Sequence, residues 1–402
     1  MPVRVTTYAY PWDLVRLGVE RTLKELAAEG IEAIDLAATY HPIDALSPRD
    51  GAVRLFSSAR GAVHFPARTE RYGRIKPSLS TPEVCAVWPE VADRAPALGL
   101  AVNSWTVMLY QPWIVDAHPD CARVLPGGDP IGSGVCPAND DVRDYVATLC
   151  DDIVDQFEVS MLHLEGLASV SYDYGWLRPR VLIDVPPLAR ELLAICFCAS
   201  CARGGAAAGI DVERVRRLAN DTIALELDDG LAVTSGDRAA NLAGDSEFRA
   251  FVVQHERASI ALARSIVSRI DASKVPRISS TVWSPYSTLL GDAQEELLEE
   301  LISVVDQLLV FPKWGDERTR LLAAMATSAR QPVELRTVFI PKENGSTAAI
   351  PADVFVKDAK QTAHELQAAA ALGVSEVGVY NYGLLRERDV HDVVTAVRSA
   401  FS

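Results

Sequence analysis

Three cysteines stand within six residues, Cys196-Phe197-Cys198-Ala199-Ser200-Cys201. Thiolates this close repel one another unless a cation sits among them, so the spacing points to a metal ion. A structural zinc site asks for a fourth ligand. Cys136, in Gly134-Val135-Cys136-Pro137, is the best placed to supply it, and Cys150 the poorer choice. Four thiolates leave no position open to water or substrate, so the ion would hold a loop rather than do chemistry. The competing reading is three small buried hydrophobes without a metal. The first gap of C-x-C-x-x-C is too short for a radical-type iron–sulfur cluster. Seven cysteines is an odd number, which suits a reducing compartment and a metal better than a disulfide framework.

Upstream, the apolar run Ser160-Met161-Leu162-His163-Leu164 ends in Glu165-Gly166. A carboxylate at the end of a buried strand must be paired, solvated or functional. Glycoside hydrolysis needs two carboxyl groups, one to donate a proton and one to act as nucleophile or base. Glu165 is the first candidate and Glu343 the second, the latter competing with an ordinary exposed loop glutamate. Asp173 is a reserve, as is Asp35 if the second strand ends short of Ala38. His163 is read as a core histidine that shares the Glu165 side only if the strand bends.

Alternating strands and helices would position these groups. Strands are expected near residues 5, 35, 105, 162, 280, 309, 337 and 378, with a last helix from about Arg388. The second, Ala33 to Ala38, is almost entirely apolar, as parallel strands buried on both faces are. Helices are expected over Val19–Glu29, Pro82–Ala97 and Asp140–Phe157, and from near Asp292, Asp316 and Ala352. Residues 61–65 read as an extra strand or hairpin. Eight strands alternating with helices define an α/β fold, a (β/α)8 TIM barrel of one domain over residues 1–402. Residues 166–275, with long helices at 212–227 and 247–270, read as a zinc-stapled insertion after strand four. An open doubly wound sheet fits less well, since no glycine-rich phosphate loop follows the first strand. The loops after strands three and four open on the same barrel end, so Cys136 can meet the other thiols.

Barrel chemistry sits at the C-terminal ends of the strands. Those ends carry Tyr8, Tyr40, His41, Trp105, Trp283, Trp314, Tyr380 and Asn381, an aromatic rim with few charges. Aromatic faces stack on sugar rings while amides and carboxylates bond hydroxyls; alternatively these rings merely close the barrel top. The net charge of −15 and pI near 5.0 argue against nucleic acid or an anionic membrane as partner. No signal-like start or membrane-length apolar run shows, so a cytoplasmic location is expected. The expected partner is a small carbohydrate or glycoside, with homo-oligomerisation open.

Cys136-Pro137-Ala138-Asn139 followed by Val142-Arg143-Asp144-Tyr145 resembles the Cys-Pro segment of the family 42 β-galactosidases. In that family the segment precedes strand four, whose end carries the acid/base glutamate, and a Cys-x-Cys-x-x-Cys segment follows. The order Cys136, Glu165, Cys196, Cys198, Cys201 is the same here. The resemblance, which extends to uncharacterised glycosyl-hydrolase-like barrels, implies a zinc ion on the four cysteines and an acid/base role for Glu165. Leu164 stands where the family has Asn, and Glu343 lies two residues beyond the end of strand seven, where the family has its nucleophile. The function expected is hydrolysis of a glycoside by paired carboxylates. The alternatives are a barrel that binds carbohydrate without cleaving it, or a lyase or isomerase using Glu165 or a histidine as base.

Overall fold

The structure, a computed structural model, describes residues 2–49, 54–58, 61–167, 182–230, 236–274, 276–281, 289–310, 324, 326, 333–340 and 359–402. Eight strands form the barrel: β1 (Arg4–Ala9), β2 (Ala33–Tyr40), β3 (Ala101–Val107), β4 (Met161–Glu165), β5 (Arg277–Thr281), β6 (Gln307–Leu309), β7 (Glu334–Phe339) and β8 (Glu376–Val379). Each pairs in parallel with its sequence neighbours, and β1 pairs with both β2 and β8, which closes the sheet. Each of the eight positions at which a strand was expected falls inside one of these. All eight residues of β2 are buried, as a strand covered on both faces requires.

The helices follow local signals. Asn139 caps Asp140–Gln156 by accepting from the amides of Asp141 (3.0 Å) and Val142 (3.2 Å), satisfying two otherwise orphaned donors. The helix expected over Pro82–Ala97 is broken into Pro82–Cys85, Val87–Arg94 and a 3-10 turn at Pro96–Leu98. Pro96 has no N–H with which to continue an α-helix. Pro11 ends β1 but also opens a short helix, Pro11–Leu17. Ala62–Val63 pairs antiparallel with the end of β2. Two hairpins were not expected, Ile43–Ser47 with Arg54–Ser58 and Ala122–Val124 with Pro130–Val135. The helix expected from Asp316 and the start expected at Ala352 lie outside the described residues. Among the described residues no helix is long and apolar enough to cross a membrane.

After β4 the chain adds helices at Pro187–Leu193, Ala199–Ala207, Val212–Asp229, Gly236–Gly244 and Ser246–Arg269. Leu188, Leu192, Val215, Ala219, Phe248 and Phe251 build an apolar cluster there with the four cysteines. The second half of Ser246–Arg269 belongs elsewhere. Its Leu262, Ala263 and Ile266 pack in the main core, and Arg269 bonds Thr148 and Asp144 on the neighbouring helix. That half covers the barrel like any other barrel helix.

Strand alternation sends every second side chain inward, and here the inward set is polar. Asp35 accepts from Thr6 Oγ1 (2.7 Å) and Asn103 Nδ2 (3.0 Å), and pairs with Arg336. Arg336 Nε also lies 3.2 Å from Glu376. Asp35 and Arg336 are both fully buried. Burial raises the Asp35 carboxyl, but the Arg336 guanidinium outweighs it and holds Asp35 below its ordinary value. Asp35 is therefore part of the barrel's ionic centre and not a reserve catalytic group at the rim. His163 faces the same interior, 5.9 Å from the Tyr8 ring, with Nδ1 3.3 Å from Ser279 Oγ. Residues two apart on a strand share a face, so His163 and Glu165 need no bend to do so. Burial pushes His163 down to about 3, leaving it a neutral core histidine and a weak base.

Candidate active site and thiol cluster

Glu165 ends β4 at the mouth of the barrel, half-buried, and Gly166 turns the chain away with a φ of 69°. A side chain at position 166 would be strained in that left-handed conformation. The indole N–H of Trp105, on neighbouring β3, donates to Glu165 Oε2 at 2.5 Å. Trp105 itself is 1% exposed. The ring edges or faces of Tyr8 (4.9 Å), Tyr40 (4.7 Å), Tyr10 (5.3 Å) and Tyr380 (5.8 Å) surround it.

Three of these tyrosines also join through their hydroxyls. Tyr380 OH lies 2.6 Å from Tyr10 OH and 3.1 Å from Tyr40 OH. Burial raises all three phenols, and Tyr8 with them, above their ordinary values. They are neutral donors and acceptors at physiological pH. Tyr8 sits deepest, with the Arg336 guanidinium 5.0 Å from its ring centroid. His41 lies against Tyr40 (4.1 Å) and Tyr110 (4.9 Å). Its Nδ1 donates to Pro42 O at 2.6 Å, since a carbonyl can only accept, which leaves Nε2 as the acceptor nitrogen. Burial lowers His41 to about 4.

Sequence reasoning placed Tyr8, Tyr40, His41, Trp105, Tyr380 and Asn381 as sugar-facing groups. The structure brings all six to the same barrel end but uses several against one another. Trp105 reaches Glu165 with its N–H and is walled in by tyrosines. Asn381 caps the turn Tyr382–Leu384 by accepting from Gly383 N at 3.1 Å, while its buried Nδ2 has no partner among the described residues. The Tyr380–Asn381 peptide is cis. Glu343, Asp173, Trp283 and Trp314 lie outside the described residues. Three further aromatic residues join the six. Tyr10 and Trp12 stack at 4.2 Å, and Trp12 stacks on Phe56 of the first hairpin at 3.9 Å. The Tyr8-Ala9-Tyr10-Pro11-Trp12 spacing hinted at the first two. Phe56 lay in a hairpin too short and polar to stand out.

The thiol cluster assembles as expected. Cys136, Cys196, Cys198 and Cys201 are buried, and their sulfurs all lie within 4.8 Å of one another. Cys136 Sγ and Cys201 Sγ are 3.5 Å apart, far beyond a disulfide bond, and all seven cysteines are free. The second hairpin delivers Cys136, whose amide bonds Cys121 O at 3.0 Å. Its other strand holds the cysteine loop, through Phe197 N to Val124 O (2.8 Å) and Val124 N to Cys196 Sγ (3.4 Å). Thiol–thiol hydrogen bonds push Cys196 and Cys198 down and Cys136 and Cys201 up. Four ligands at a Zn–S distance of about 2.3 Å sit about 3.8 Å apart at tetrahedral corners. The cluster therefore fits a tetrahedral ion with small shifts. Arg123 is buried alongside, bonding Ala194 O, and its charge favours ionised Cys196.

A closed eight-stranded parallel barrel with a carboxylate at the mouth and a thiol cluster joining the segments after β3 and β4 defines the class, a (β/α)8 barrel. Among solved structures the chain is similar to α-L-fucosidase isoenzyme 2 from Paenibacillus thiaminolyticus, at 13% identity and a TM-score of 0.59, covering 99% of this chain and 49% of that one. It is also similar to a β-galactosidase from the psychrophilic Marinomonas ef1, at 13% identity and a TM-score of 0.54, covering 98% and 59%. Both are glycoside hydrolases, and at such identity the likeness shows the fold. This chain spans only about half to three-fifths of their length. No family model matches it, and no curated protein does.

Proposed function

We propose that the chain is a barrel glycosidase acting on a carbohydrate or glycoside, with Glu165 as the proton-transferring carboxyl. The observation that carries this reading is Glu165 itself, at the end of β4 and held by the Trp105 N–H. Protonation of a leaving-group oxygen needs a carboxyl at a fixed place near the substrate, which a strand end provides better than a loop. Tyr40 and Tyr380, packed on Trp105, and His41, packed on Tyr40, offer hydroxyls and an acceptor nitrogen for sugar hydroxyls. Glu343 is proposed as the second carboxyl. Its separation from Glu165 decides the stereochemistry, about 5–5.5 Å for retention and about 6.5–9.5 Å for inversion.

The four cysteines would hold a structural zinc, as in the family 42 β-galactosidases whose Cys–Glu–Cys-x-Cys-x-x-Cys order this chain shares. The meeting of Cys136 with the other three thiols supports both the ion and that ancestry. An ion bound there would supply rigidity to the excursion after Glu165 and no catalytic step.

The test is Glu165→Gln, assayed on aryl glycosides of good and poor leaving groups. Turnover should fall about 10²–10⁴-fold on the poor leaving group, and much less on the activated one, which needs little protonation. An undiminished rate, or an equal loss on both, would overturn the acid role.

A further inference from the structure

We propose that Trp105 is a positioning residue for Glu165, its indole N–H occupying Oε2 so that the transferable proton is carried on Oε1. This rests on the reading of Glu165 as the proton-transferring carboxyl. An indole N–H can only donate, so the oxygen it faces must accept in either protonation state. A free carboxyl carries its proton on either oxygen and rotates between them. With Oε2 engaged at 2.5 Å, a proton on that oxygen is disfavoured, because a carbonyl oxygen accepts more strongly than a hydroxyl oxygen.

The bond is also charge-sensitive. A donor is held more strongly by a carboxylate than by a carboxylic acid, so Trp105 favours the ionised form. The indole cannot swing away, because Tyr8, Tyr10, Tyr40 and Tyr380 enclose it and it is 1% exposed. Those phenols are neutral, and so supply shape without a competing charge. The same packing denies Trp105 an open face for a sugar. Its contribution to chemistry therefore passes through Glu165.

Trp105→Phe removes the N–H and keeps an aromatic ring. Replacement by benzothienylalanine keeps the bicyclic shape and removes only the N–H, should the phenylalanine variant fold poorly. Glu165 is titrated directly by carbon-13 NMR of labelled carboxyls, with Glu165→Gln identifying its signal. The Glu165 pKa should rise by about one unit in both variants, since a hydrogen bond to a charged group is lost. The matching limb of the pH–rate profile should move alkaline by the same amount, and kcat should fall while KM stays within about two-fold. A Glu165 pKa unchanged in both variants would overturn the proposal, whatever happens to the rate. Absence of turnover in the wild-type enzyme on every glycoside tried would instead sink the glycosidase reading, with the NMR titration still deciding whether Trp105 governs Glu165.

Discussion

Asp35→Asn tests how the barrel centre supports the site above it. The wild-type pair is fully buried, and Asp35 accepts from Arg336, Thr6 and Asn103. Removing the charge leaves the Arg336 guanidinium in the barrel with Glu376, 3.2 Å from its Nε, as the remaining counter-ion among the described residues. Breaking a buried pair typically costs about 3–5 kcal/mol, and the surviving Glu376 puts this case near the lower end. Unfolding entropy for 402 residues is about 0.8 kcal/mol/K, so Tm should fall by about 4 °C. The double variant Asp35→Leu/Arg336→Met should recover most of this loss, because apolar replacement of both partners is often neutral. Thermal and urea unfolding followed by circular dichroism measure all three. Arg336 lies under the Tyr8 ring, and Tyr8 packs on Trp105, so a modest loss of turnover should accompany the loss of stability. A Tm within about 1 °C of wild type would refute the ionic-centre argument. Abolished turnover at unchanged stability would return Asp35 to the catalytic candidates.

Three further outcomes are expected. Wild-type protein should contain about one zinc per chain, and Cys198→Ser should lower metal content and Tm together by mass spectrometry and calorimetry; metal-free wild type with unaltered stability would dismiss the ion. Burial pushes the Asp13 carboxyl up to about 7 against the pull of Arg16 and Arg49, above its value in the unfolded chain. The unfolded state therefore loses its proton first, and Asp13 should lower stability as pH rises from about 4 to 7, by at most about 4 kcal/mol; the difference in Tm between wild type and Asp13→Asn should follow that curve and level off above it. Gly378→Ala would place a Cβ 2.6 Å from Arg336 Nη2 and 2.7 Å from Tyr8 Cε2, so it should destabilise by about 1–3 kcal/mol and disturb the Tyr8–Trp105 contact, read as lower Tm and lower turnover.

The sequence alone determined the barrel and two of its landmarks. Apolar runs near residues 5, 35, 105 and 162, and their partners in the second half, are local signals, and eight of them with intervening helices close only one familiar way. Glu165 was legible because it ends such a run, and Cys196, Cys198 and Cys201 because they adjoin in the chain. His163 was legible too, since strand alternation alone puts it on the face of Glu165, and the expectation of a bend was a misreading of that period. Tertiary structure decided what the alternation leaves open. Period two says that Asp35 and Arg336 point inward, but not that residues 301 positions apart meet at one depth. It marks Trp105 and Tyr380 as rim aromatics, but not whether their faces meet a ligand or each other. Those outcomes depend on strand stagger and on which neighbours fill the shared volume, and both are fixed only when the sheet closes. Cys136 shows the two combined: its chemistry was visible in the sequence, while its place beside the other thiols came from a hairpin that only the folded chain reveals.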